Sequence, residues 1–182
     1  MKKLNLPLSE QEILSLQSGD GVLLSGVIYT ARDAAHKRIL EDLDAGRTLP
    51  FPLTGSVIYY VGPTPAKPGE AIGSAGPTSS YRMDRQAMVL LELGARISIG
   101  KGDRSPEFKE KLKECRGLYL AAIGGAGALI SQSIKSCELI AYPDLGPEAV
   151  HRLVVEDFPV IVAYDAWGGD IFESGRSRYR KG

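Results

Sequence analysis

At 182 residues the chain has room for one domain with a real core and too little for two full domains. Apolar residues at 43% exclude wholesale disorder, and 22 basic against 22 acidic residues leave no global field to draw nucleic acid or an anionic membrane. Two cysteines, Cys115 and Cys137, cannot build a disulfide framework and lack zinc-site spacing, so a reducing compartment suits them. The basic start turns polar and acidic without the apolar stretch of a signal peptide, and no later segment reaches bilayer length, which places the chain in the cytoplasm.

Ser9 followed by Glu12 spells a capping box for a short helix with Ile13, Leu14 and Leu16 on its apolar side. Gly21 to Thr30 reads as a strand. "TARDAAHKRILEDLDAG" is the clearest helix: Thr30 and Asp33 fit a T-x-x-D cap, Ala35, Ile39 and Leu43 share a face, and Gly46 can end it. Ser56 to Gly62 is a β-branched and aromatic strand, and the prolines of "PTPAKPG" then suit a stiff loop. A short extended piece, Glu70 to Ser74, leads into "GSAGPTSSYRMD" and a helix carrying Met83, Ala87, Leu90 and Leu91.

"ARISIGKG" is another strand, and "SPEFKEKLKECRG" an amphipathic helix with Phe108, Leu112 and Cys115 on one side. "GLYLAAIGGAGALISQSI" reads as an apolar strand turning through glycines into a small helix. "CELIAY" is a strand, and "AVHRLVVEDFPVIVAYD" gives two more, broken at Asp157 to Pro159. Residues 174–182 form a basic tail expected to be mobile. Alternating elements argue for an α/β domain spanning 1–182, and the strand-rich C-terminal part for a mixed sheet, in a compact β/β/α arrangement with flanking helices.

Three cations stand where a strand or loop hands over to a turn: Arg32 in "TARD", Arg82 in "GPTSSYRMD" and Lys101 in "IGKG". If the sheet joins these ends, two guanidinium forks and one ammonium suit a small dianion; taken singly, each is an ordinary solvated side chain. Thr78, Ser79 and Ser80 can cap the following helix, a role compatible with facing a pocket. "GPTPAKPG" lacks the phosphate-loop pattern, and "IGGAGAL" misses the dinucleotide spacing and reads as tight packing. His36 and His151 read as packing or structural residues, and the cysteines as small buried hydrophobes.

Together, "SGVIYTARDAAHKRI", "VIYYVGPTPAKPG", "IGSAGPTSSYRMD", "IGKG", "YLAAIGGAGAL" and "VEDFPVIVAYD" resemble the β subunit of the class I, iron–sulfur-dependent fumarate hydratase and L(+)-tartrate dehydratase family. The likeness runs from about Gly21 to Phe172, and the unit is equivalent to the C-terminal domain of single-chain members. It implies a swivelling β/β/α domain. It also implies that Arg32, Thr78, Ser79, Arg82 and Lys101 contact a four-carbon dicarboxylate, with Thr78 the catalytic nomination and no metal ligand in this chain. Ser79 stands where a second threonine is common, and Tyr81 where many single-chain members have a small residue.

The resemblance further implies reversible hydration of fumarate to L-malate, or dehydration of tartrate to oxaloacetate. A [4Fe-4S] cluster would be ligated by a partner α subunit in a hetero-oligomer such as α2β2, leaving the isolated chain inactive. A non-enzymatic dicarboxylate-binding module and a structural subunit whose basic residues serve an interface are the alternatives.

Overall fold

The computed structural model describes residues 1–122 and 127–179, with side chains described through Ala122, from Ile130 and as far as Gly175. Among them are seven strands: β1 (Lys2–Asn5), β2 (Gly21–Thr30), β3 (Val57–Tyr59), β4 (Ile97–Gly100), β5 (Leu118–Ala122), β6 (Ile134–Ala141) and β7 (Val150–Tyr164). Six helices accompany them: α1 (Glu10–Ser15), α2 (Asp33–Asp44), α3 (Asp84–Glu92), α4 (Pro106–Glu114), α5 (Gly127–Ser133) and α6 (Ile171–Tyr179). Two 3-10 segments, Ser80–Met83 and Pro143–Glu148, complete the order. None of the described helices is long and apolar enough to cross a membrane.

The sheet runs β1-β2-β3-β4-β5-β7-β6, and β7 pairs with β2 as well. Strands β1 to β5 are mutually parallel, while β7 is antiparallel to β2, β5 and β6, so the mixed sheet expected from the sequence is present. Because β7 joins β5 to β2, the strands β2, β3, β4, β5 and β7 close into a ring.

Period-2 alternation explains the two cores. Val57, Tyr59, Ile97, Ile99, Leu118 and Leu120 meet Leu24, Ile28, Phe158 and Val160 in one cluster. Their neighbours Ile58, Tyr60 and Tyr119 point the other way, onto Ala35, Ile39, Leu90, Leu91, Phe108 and Leu112 of α2, α3 and α4. Each of the valines, leucines, isoleucines and phenylalanines among them, almost wholly removed from water, contributes roughly 1.5–3 kcal/mol of transfer free energy. The helical signals behave as the sequence suggests at α1, where Ser9 and Glu12 form both halves of the capping box, and at α4, which buries Phe108 and Leu112; there the structure adds a cap, the Ser105 side chain accepting the Phe108 N–H.

Two expectations fail, and one strand has no counterpart in the sequence reading. Residues 150–164 form one strand, not two: Asp157 adopts a left-handed φ of 50°, and its N–H donates to Ser25 Oγ at 3.0 Å, where β2 itself shifts register beside Gly26. Gly26 has φ 133°, and a Cβ there would lie 2.8 Å from Leu6 Cβ, so the irregularity absorbs the turn-like Asp157 to Pro159 signal without breaking the strand. Thr30 does not cap α2, whose N-cap is Arg32; the Thr30 hydroxyl instead donates to Ala149 O at 3.3 Å and accepts from His151 N at 2.9 Å. Residues 70–74, read as a short extended piece, form no helix and pair back to Thr64, whose O accepts Gly73 N–H at 3.1 Å and whose N–H donates to Ser74 O at 3.0 Å. Finally, Lys2–Asn5, assigned no element from sequence, pairs with β2. The "IGGAGAL" stretch falls mostly outside the described residues, as do the last three residues of the tail, whose residues 174–179 continue α6.

Candidate active-site edge

Parallel strands β2, β3 and β4 end at Thr30, Tyr59 and Gly100, on the same edge of the ring. Such carboxyl-end edges are where open and closed parallel sheets commonly present ligand groups. The chain places Arg32 two residues past β2 and Lys101 immediately past β4. The long connection after β3 then folds back onto this edge. Ala31 N–H donates to Tyr59 O at 3.1 Å, Tyr60 N–H to Ile99 O at 2.9 Å, and Thr78 N–H to Tyr60 O at 2.8 Å.

Ser79 pairs with Lys101 as a short parallel bridge. Ser80 N–H donates to Lys101 O at 3.1 Å, and Lys101 N–H to Ser80 Oγ at 3.0 Å. The same buried hydroxyl accepts from Tyr119 Oη at 2.9 Å. A Cβ on Gly100 would sit 1.9 Å from Ser80 Oγ, so glycine is required for this approach. The hydroxyl cluster therefore does not cap a helix: Ser79 precedes the 3-10 segment without a side-chain cap, and Ser80 is committed to the Lys101 turn.

The charges are arranged through a carboxylate that sequence reading had assigned to a helix cap. Arg82 donates from Nε at 3.1 Å and from Nη2 at 2.6 Å to the two oxygens of Asp33. Arg32 Nη2 lies 4.0 Å from the same Asp33 Oδ2, and its Nε lies 3.7 Å from Glu148 Oε1. That Nε is buried and has no hydrogen-bond partner among the described residues. Partial burial pushes the Asp33 carboxyl up, but the Arg82 fork and the neighbouring charges outweigh it and hold the group below its ordinary range. Arg32 and Arg82 thus converge on one carboxylate, with half-buried Thr78 and Ser79 and exposed Lys101 on the adjoining turn.

Behind this edge lies a second Arg–Asp pair that sequence reading missed altogether. Arg104 is buried, donates to Asp84, and has its guanidinium carbon 3.5 Å from the Phe108 ring centroid and 4.8 Å from that of Tyr119. Asp84 also accepts the Ser105 N–H at 2.7 Å, tying α3 to the start of α4. His36 is fully buried edge-on to Tyr60, and its Nδ1 donates to the Arg32 carbonyl at 2.9 Å, which agrees with its reading as a packing residue. His151 holds a structural position, with Nδ1 3.0 Å from Ala149 O.

The family model described as Fumarase C-terminus matches residues 1–175. The chain belongs to this fumarase C-terminus family. Among its relatives, a class I, aerobic fumarate hydratase of Salmonella typhimurium is 39% identical over 178 residues, covering 96% of this chain and 31% of that protein. A putative L(+)-tartrate dehydratase subunit beta of Methanocaldococcus jannaschii is 40% identical, covering 91% of this chain and 88% of that one. A putative class I fumarate hydratase of Geobacillus stearothermophilus is 37% identical over 175 residues, 93% of this chain and 33% of that protein. The chain spans about a third of the length of the fumarate hydratases it matches.

This fumarase C-terminus domain does not fit an iron–sulfur cluster by itself. Cys115 closes the C-terminal end of α4 and Cys137 lies in β6; both are partly buried and free, and a cluster needs three or four thiolates. Among the described residues no group of three His, Cys, Asp or Glu side chains is placed to hold a metal ion. A concavity of about 670 Å³ is lined by Thr64, Lys67, Ile72, Ser74 and Ser131. None of Arg32, Arg82 and Lys101 lines it, so the edge that carries those three is the better candidate.

Proposed function

We propose that this chain is the substrate-clamping β part of an iron–sulfur-dependent hydro-lyase, adding water reversibly across fumarate to give L-malate. The observation that carries the reading is the convergence of Arg32 and Arg82 on one carboxylate, beside the turn that holds Thr78, Ser79 and Lys101. Relatives named as fumarate hydratases over nearly the whole chain support it. Two guanidinium groups and an ammonium would neutralise the two carboxylates of a four-carbon diacid. They would also stabilise the extra negative charge that builds up as the C–H bond next to a carboxylate breaks.

Thr78 is the nominated proton-handling group, with Ser79 a further substrate contact. A partner α subunit, in a complex such as α2β2, would hold a [4Fe-4S] cluster, which when bound supplies Lewis-acid chemistry at the substrate oxygens. The swivelling β/β/α description fits a domain that meets such a partner across its charged edge, and the free thiols suit the cytoplasm. A tartrate dehydratase β subunit, releasing water from tartrate to leave oxaloacetate, is the second reading. It is favoured by the Methanocaldococcus jannaschii relative, which this chain nearly spans.

The test is anaerobic co-purification with a cysteine-bearing α chain, followed by assays of fumarate hydration and tartrate dehydration. Turnover of one acid by the complex, with none by the isolated chain, is the expected result. Hydratase activity from this chain alone and free of iron overturns the division of labour, and tight binding of fumarate by the lone chain in calorimetry favours a carrier instead.

A further inference from the structure

We propose that Asp33 is a positioning residue: it holds Arg82 side-on and sits between Arg82 and Arg32, so that both guanidinium groups face an incoming carboxylate. The inference rests on the proposed function, because it names how that same site is kept in order. Asp33 occupies the Nε and Nη2 edge of Arg82, at 3.1 and 2.6 Å. An arginine offers five N–H donors on two usable edges, and this arrangement leaves the Nη1 end of the fork available for a second carboxylate.

Arg32 Nη2 lies 4.0 Å from the Oδ2 that Arg82 holds. Two like charges brought to one carboxylate repel each other, and the negative charge between them offsets that repulsion before any substrate arrives. Asp33 opens α2, where the positive end of the helix dipole favours its ionised form. Glu148 places a second carboxylate near the other arginine, 3.7 Å from Arg32 Nε and beyond hydrogen-bond distance. Arg82 and Asp33 are about equally exposed at 41% and 40%, so their pairing adds little to stability, and its use lies in orientation.

The experiment compares the complete αβ complex carrying wild-type chain, Asp33→Asn and Asp33→Glu. Asn keeps the size of the side chain and removes its charge. Its KM for the diacid should rise about tenfold, the effect of one charge-assisted contact, while kcat stays within about threefold and the thermal midpoint barely moves. Asp33→Glu, which restores the charge, should recover most of the lost affinity. In ¹⁵N spectra of the full chain, the Arg82 Nε–H should lose its protection from exchange in Asp33→Asn. An unchanged KM in an active complex, a loss confined to kcat, or an unaltered Arg82 resonance overturns the positioning role and leaves the hydro-lyase reading standing. A wild-type complex that turns over neither fumarate nor tartrate removes that reading, and this proposal with it.

Discussion

Two arginine–aspartate pairs lie on and just behind the same edge of the ring and serve opposite ends. Arg104 and Asp84 are buried among aromatic rings, with side-chain exposures of 0% and 9%, whereas Arg82 and Asp33 are open to water. The buried pair cannot be rearranged without stranding a charge in a low-dielectric interior, so it acts as a brace. The exposed pair adds little to stability, and in the proposed reading Asp33 keeps Arg82 oriented while the Nη1 end of the fork stays open to a further carboxylate. The same two side-chain types thus brace the fold in one place and keep a cation within reach of solvent in the other, and burial decides which.

The largest effect should come from breaking the brace. Arg104→Met removes the partner of Asp84 and should cost about 3–5 kcal/mol of unfolding free energy by urea titration. A cost below about 1 kcal/mol would show that the buried pair does not differ from the exposed one. Arg82→Met should do the reverse, lowering kcat/KM of the complex by about 10²–10³-fold, as loss of an oriented donor does, with stability nearly unchanged.

His36 sharpens the contrast through pH. Burial, with a smaller contribution from the Arg104 charge, lowers its pKa from the ordinary 6.5 to about 4, against the pull of the Arg32 carbonyl. A group kept neutral in the folded state gives stability that is complete above the unfolded pKa and lost as pH falls through the folded one. Stability should therefore drop by roughly 3 kcal/mol between about pH 6.5 and 4. His36→Gln should flatten that limb in urea titrations repeated across the range. The smallest effect belongs to the exposed pair: Asp33→Asn should lower stability by less than about 1 kcal/mol in dilute salt, and the difference should fade in 1 M salt, where charges are screened within about 3 Å.

The contrast also marks what was legible in the sequence. Arg32, Arg82 and Lys101 stood out because glycines, hydroxyls and strand ends flank them, α2 and α4 announced themselves by the period of their apolar residues, and β3 by its β-branched and aromatic run. Asp33 was visible as a residue but misread, since Thr30 abandons the helix cap for partners on and beside β7 more than a hundred residues away. Arg104 gave no signal at all: an arginine after a turn looks solvated until Phe108, Tyr119 and Asp84 close around it. Glu148 likewise depends on a 3-10 segment meeting Arg32 across the fold. Local chemistry survives in a linear reading, and pairing across long sequence separations does not.

Closure of the ring by β7 bears on how the polypeptide reaches this shape. Residues 150–164 must find both β2 and β5, so the contacts with β2 bridge more than a hundred residues and form only once β7 has been made. Until then β2 and β5 each carry a bare edge able to recruit a neighbouring nascent chain. Cotranslational shielding of those edges, more than the strength of any one contact, would govern the yield of usable protein.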